Sequence, residues 1–106
     1  MKEPEILLDN DGYPTDEYLE WIRNYTCDQM PIMDFINRLE WHFYDWGFIL
    51  RNKYKGIRKL ELHTGGWSGN EEIITAITGN IHLTHFKMRY SKWMAGGHYY
   101  FEINLK

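Results

Sequence analysis

The stretch ELHTGGWSGNEEII, residues 61–74, gathers the side chains in this sequence that could do chemistry. His63, Thr64 and Ser68 supply an imidazole and two hydroxyls, while Gly65 and Gly66 allow backbone to approach a ligand closely. Read as a strand, a glycine loop and a helix start, it would aim backbone N–H groups and a positive dipole end at one place, which suits an anion. It is not a P-loop, because no Lys-Ser or Lys-Thr follows a final glycine. It matches a nucleophile elbow only in part: in Gly66-Trp67-Ser68-Gly69-Asn70, asparagine stands where that motif has its second glycine. Ser68 also precedes Glu71 by three residues, the spacing of a capping box, so capping is the competing account of its hydroxyl.

A second candidate arises from period-two alternation. One sheet face would carry Lys59, Glu61 and His63; His85, Lys87 and Arg89; and His98, Tyr100 and Glu102. Leu60, Leu62, Phe86, Met88, Tyr90, Tyr99, Phe101 and Ile103 would point inward. Histidines 63, 85 and 98, together with carboxylates and a tyrosine, could form an acid–base site. A solvated face of mixed charge is the plainer alternative. No HxH, HExxH or CxxC spacing occurs, so neither a metal nor a cofactor is expected.

The elements that must position these residues can be read in order. Asp9–Thr15 is rich in turn formers, and Tyr18, Trp21, Ile22 and Tyr25 then fall at helical spacing, giving a helix over about 15–25. A second helix is expected from Asp28 or Pro31 to Trp46. Its stripe is Ile32, Phe35, Ile36, Leu39, Phe43 and Trp46, with Gly47 as a left-handed cap. Phe48–Asn52 and Ile57–His63 read as strands joined by the turn Lys53–Gly56. A short helix over Gly69–Thr78 follows, then strands His82–Tyr90 and Gly97–Leu105 around the loop Ser91–Gly96. The order ααββαββ predicts a single α+β domain, with two N-terminal helices and one short helix packed on one face of a roughly four-stranded sheet.

If the short helix carries the chain back, its flanking strands run parallel. His63, Thr64, Gly65, Gly66, Trp67 and Ser68 then meet Trp93, Gly96, Gly97 and His98 at one sheet edge. That set is the expected ligand- or partner-binding site, with His63, Ser68 and His98 as the candidates for any catalytic role.

The chain has 106 residues, of which 17% are aromatic. That suits one domain with a core anchored by rings. A single cysteine, Cys27, cannot form an intrachain disulfide, and the acidic opening MKEPEILLDNDG lacks the apolar run of a signal peptide. A cytoplasmic setting is expected. Residues 1–50 carry three Lys/Arg against eleven Asp/Glu, while residues 51–106 carry nine against four. The two halves either attract each other within the fold or serve separate partners, a basic protein on one side and nucleic acid on the other.

The blocks DNDGYPT, YLEWIRNY, ELHTGGWSGNEEII and GGHYYFEI span about a third of the chain. In them the sequence resembles a group of small phage- and prophage-encoded proteins of unknown function that share HTGGWSGNE and GGHY. The resemblance implies a viral or mobile-element origin and supplies no catalytic residues.

No catalytic motif is complete, so the leading expectation is a non-catalytic binding module acting on a host or phage protein. Trp67, Trp93 and Met94 would serve as its anchors. The second is a nucleic-acid binder using Arg51, Lys53, Lys55, Arg58, Lys59, Lys87, Arg89 and Lys92, with Tyr54 or Trp93 stacking on bases. The third is a small enzyme using His63, His98 and Ser68 near a bound anion.

Overall fold

The chain opens in an Asx turn: Asp9 Oδ1 accepts the N–H groups of Asp11 at 2.9 Å and Tyr13 at 3.0 Å. Thr15 then caps the first helix, its hydroxyl oxygen accepting the Tyr18 N–H at 3.2 Å while its proton goes to the Ile6 carbonyl. In this computed structural model residues 4–41, 44–51, 54–94 and 96–105 are described, the side chains of 44, 45 and 90–94 excepted. Helix α1, Asp16–Asn24, buries Tyr18, Trp21 and Ile22, one stripe at the expected period.

The expected long second helix is instead two short ones. Helix α2, Ile32–Ile36, buries Ile32, Phe35 and Ile36, and helix α3 covers Tyr44–Gly47. The break lies where Tyr18 intervenes. Its hydroxyl donates to the Arg38 carbonyl at 3.0 Å and accepts the Glu40 N–H at 2.7 Å, taking over two backbone groups that a continuous helix would have paired. Leu39 and Trp41 remain in the core, whereas Trp46 is 58% exposed and does not belong to the stripe. Phe43 lies outside the described residues. Gly47 is not a left-handed cap either; it has no positive φ. A Cβ there would sit 2.6 Å from the His63 carbonyl oxygen and 2.9 Å from Trp41 Nε1, so glycine serves close approach.

Strands β1 (Phe48–Leu50), β2 (Ile57–His63), β3 (Met88–Met94) and β4 (His98–Asn104) form one sheet in the order β1-β2-β4-β3, each neighbouring pair antiparallel. Asn52, the expected end of the first strand, is outside the described residues. Between Tyr54 and Ile57 the chain reverses through Lys55 (φ 53°) and Gly56 (φ 78°), two consecutive left-handed residues as a tight hairpin requires. Helix α4, Ser68–Thr78, returns the chain, so β2 and β3 run in the same direction on either side of β4. The architecture is α+β, as the order of elements predicts. Leu60, Leu62, Met88, Phe101 and Ile103 of the sheet join buried residues of α1, α2 and α4 in one core.

The third strand begins later than alternation suggests. Residues 83–87 form a π-helical turn, and Leu83 and Met88, five apart, are both buried. Asn80 accounts for the turn. Its buried side chain donates to the carbonyls of Ile22 at 2.8 Å and Tyr25 at 2.9 Å, and accepts the Leu83 N–H at 3.1 Å. One amide thus ties the end of α1 to the exit of α4 and keeps the chain coiled. As a result Phe86, expected inside, is 64% exposed, and His85 stands on the turn rather than on a strand. Ser91–Met94, expected as loop, continues β3.

Replacing Asn80 by Leu strands two carbonyls and one N–H in the core. The expected loss is about 3 kcal/mol, read as a lower urea midpoint at unchanged m.

Candidate functional site

The two glycine pairs meet at one end of the sheet. β2 ends and β4 begins at the paired residues His63 and His98, and Met94 at the end of β3 pairs with His98 on its other side. Just beyond, the Thr64 N–H donates to the Gly97 carbonyl at 2.9 Å. Thr64 is fully buried, and its hydroxyl oxygen accepts the Gly66 N–H at 3.3 Å. Its carbonyl accepts the Asn70 side-chain amide at 3.2 Å and the Trp67 N–H at 3.1 Å. Gly65, Gly66, Gly96 and Gly97 all have φ between 64° and 94°. At Gly97 the side chain of a larger residue would overlap the Thr64 hydroxyl, since a Cβ there would lie 2.1 Å from Oγ1.

On the face turned away from the helices, His63 Nδ1 lies 2.7 Å from His98 Nδ1. His63 Nε2 is 3.5 Å from Glu61 Oε1, and Glu61 Oε2 accepts the Arg51 Nε–H at 2.6 Å. The Arg51 hydrogen bond, with its charge, holds the Glu61 carboxyl below the usual carboxylate range against a desolvation that pushes it up. The rings of Tyr100 and Trp46 flank His63 at 5.9 Å and 6.1 Å between centroids. The outcome is a string, Arg51–Glu61–His63–His98, running across the outer face of the sheet. His98 Nε2 sits beside Gly96, where a Cβ would come within 3.4 Å of it.

The other candidates do not join this string. His85 is on the π turn beside Phe86. Ser68 is not the cap of α4: Trp67 precedes the helix, no side chain caps it, and the Ser68 hydroxyl donates to Tyr13 Oη at 3.4 Å. Trp67 is half-buried, its ring packed on Gly69 so closely that a Cβ there would fall 2.3 Å from it, with Tyr13 tilted against it at 5.0 Å. It fixes the start of α4 and is not an exposed anchor. Trp93 pairs with Tyr99 through the backbone at the same sheet end as His63, and its side chain lies outside the described residues, as does that of Met94. Among the described residues no group of three His, Cys, Asp or Glu is arranged to hold a metal ion.

The opposite end of the outer face has a different character. Ile57, Phe86 and Met88, with Thr84, Arg89 and Asn104, line a depression of about 400 Å³. Ile57 is 42% exposed, and Tyr54, which bridges to it, is 72% exposed. Alternation missed this place because it turned Phe86 inward. No family model, curated protein or solved structure matches the chain, so the candidate sites rest on these contacts.

Two outcomes are expected. Gly66 and Gly97 share a left-handed φ, but nothing lies within 4 Å of a Cβ at Gly66. Gly66→Ala is therefore expected to cost about 1 kcal/mol of conformational strain, and Gly97→Ala distinctly more, because Thr64 must move; urea titration of both variants compares them directly. The lowered Glu61 carboxyl contributes stability that is complete above its ordinary value of 4.5 and is lost as pH falls through its depressed value. Glu61→Gln is thus expected to lower the urea midpoint at pH 7 and to leave a much smaller difference from wild type at pH 3.

Proposed function

We propose that this chain is a small phage-type binding module that docks on a host or phage protein in the host cytoplasm. One observation carries the reading: Ile57, Phe86 and Tyr54 stay 42–72% exposed around one depression, in a domain whose other large apolar side chains mostly fill a common core. Exposed apolar surface of this kind, rimmed by polar groups, marks places where proteins bind one another. Phe86 is the natural anchor, since a single aromatic residue in a depression often dominates an interface. The cytoplasmic setting rests on the absence, among the described residues, of any helix long and apolar enough to cross a membrane, and on the lone cysteine.

Nucleic-acid binding is the second reading. It draws on Arg51, Lys59 and Arg89 sharing the outer face, and on Lys55 lying 5.4 Å from the centre of the exposed Tyr54 ring. Two of those cations are already engaged, Arg51 by Glu61 and Arg89 by Glu102 at 3.9 Å, which weakens the field a phosphate chain would meet.

Capture from bacterial lysate, with and without nuclease, separates the two. A protein retained after nuclease by wild type, and reduced at least about tenfold by Phe86→Glu, supports docking at the depression. Retention unaltered by Phe86→Glu overturns it, and retention lost with nuclease moves nucleic acid to first place.

A further inference from the structure

From the string on the outer sheet face we infer that His98 is a phosphoryl-accepting nucleophile, with His63 as its base and Glu61 as the group that orients the base. The arrangement has the three parts an activated nucleophile requires: a nucleophile and a base within hydrogen-bond reach, and a third group fixing the base. Here the first distance is 2.7 Å, from His98 Nδ1 to His63 Nδ1, and the second is 3.5 Å, from His63 Nε2 to Glu61 Oε1. Arg51 locks the carboxylate in turn at 2.6 Å.

The distances also assign the protons. Two nitrogens 2.7 Å apart cannot both carry a proton toward each other, so one is donor and one acceptor. The Glu61 carboxylate draws the His63 proton to Nε2, leaving His63 Nδ1 as the acceptor. His98 then holds its proton on Nδ1 and presents a lone pair at Nε2. That nitrogen lies beside Gly96, so no side chain of the neighbouring residue stands over it. Trp46 and Tyr100 flank His63 rather than His98 Nε2.

With a small phosphoramidate as donor, the lone pair of His98 Nε2 attacks phosphorus. The nitrogen–phosphorus bond forms as the donor's own P–N bond breaks, and ammonia departs with that electron pair. The His98 ring, made acidic by the new bond, passes its Nδ1 proton to His63 Nδ1. The products are a dianionic phosphoryl group on His98 and an imidazolium on His63, held between that dianion and the Glu61 carboxylate. An acyl donor would leave a neutral adduct without this charge pairing, so the string favours phosphoryl transfer. The step needs neither Ser68 nor the start of α4, and it stands apart from the apolar depression.

The test is incubation of the folded protein with potassium phosphoramidate at neutral pH, followed by site mapping without acid exposure and by phosphorus NMR. His85, which is exposed and lacks such a string, is the internal reference. Expected is labelling of His98 at Nε2 at least about tenfold faster than labelling of His85, the low end of what a positioned base contributes. His63→Asn can still accept a hydrogen bond but cannot take the proton, and Glu61→Gln removes the orienting charge. Each is expected to bring His98 down toward the His85 rate with the circular dichroism spectrum unchanged. If His63→Asn disturbs the fold, Glu61→Gln decides. Equal rates at His98 and His85 in wild type, attachment at Nδ1, or undiminished His98 labelling in folded Glu61→Gln would each overturn the assignment.

Discussion

The sheet end that holds the histidines depends on one crowded contact, the Thr64 hydroxyl filling the space where Gly97 has no side chain. Thr64 is buried, and its backbone N–H, carbonyl and hydroxyl are all engaged, so it has little freedom to yield. That contact fixes how closely the exit of β2 approaches the turn into β4. The strand register then sets His63 directly opposite His98. A one-residue slip would send one histidine to the core face and the other outward. The close pair of imidazoles on the outer face is thus a consequence of a small-residue contact just past the sheet end.

The same economy governs the helical side. Two side chains with buried polar ends, Tyr18 and Asn80, replace stretches of regular backbone pairing. Tyr18 takes one carbonyl and one N–H from the chain after α2, and Asn80 takes two carbonyls from the end of α1 and one N–H from the π turn. Each stops an element that periodicity alone would have prolonged. Each also gives those backbone groups partners where they would otherwise be costly to bury.

Those two residues explain where the sequence was legible and where it was not. Local period sufficed for α1, β2 and β4, whose apolar residues match the observed core face: Tyr18, Trp21 and Ile22; Leu60 and Leu62; Phe101 and Ile103. The meeting of both glycine pairs also followed, because a helix between two strands leaves few ways to return the chain. Period failed where a distant partner decides. Nothing near residue 38 announces that the hydroxyl of Tyr18 will pair its carbonyl, and nothing near Phe86 announces the amide of Asn80. Trp67 failed for a third reason: an aromatic among glycines suggests an exposed loop, yet Gly69 is the very surface its ring lies on. The relay through Glu61 was open to pattern reading only as a shared face, since distance along that face depends on register.

Charge places the two candidate regions in one frame. Each ion pair between described residues joins two members of the basic half: Arg51 with Glu61, Glu61 with His63, and Arg89 with Glu102. The acidic half is therefore not spent on neutralising the basic one. Asp16, Glu17 and Glu20 of α1 stay exposed, as do Glu71 and Glu72 on α4, which packs beside it. One side of the molecule is an acidic helical surface, and the other is a sheet face whose cations are largely matched by its own carboxylates. Polyanions are repelled by the first and only weakly drawn by the second. Association at the outer face must then rest mainly on burying Ile57, Phe86 and Tyr54, with charge acting chiefly to orient a partner as it arrives.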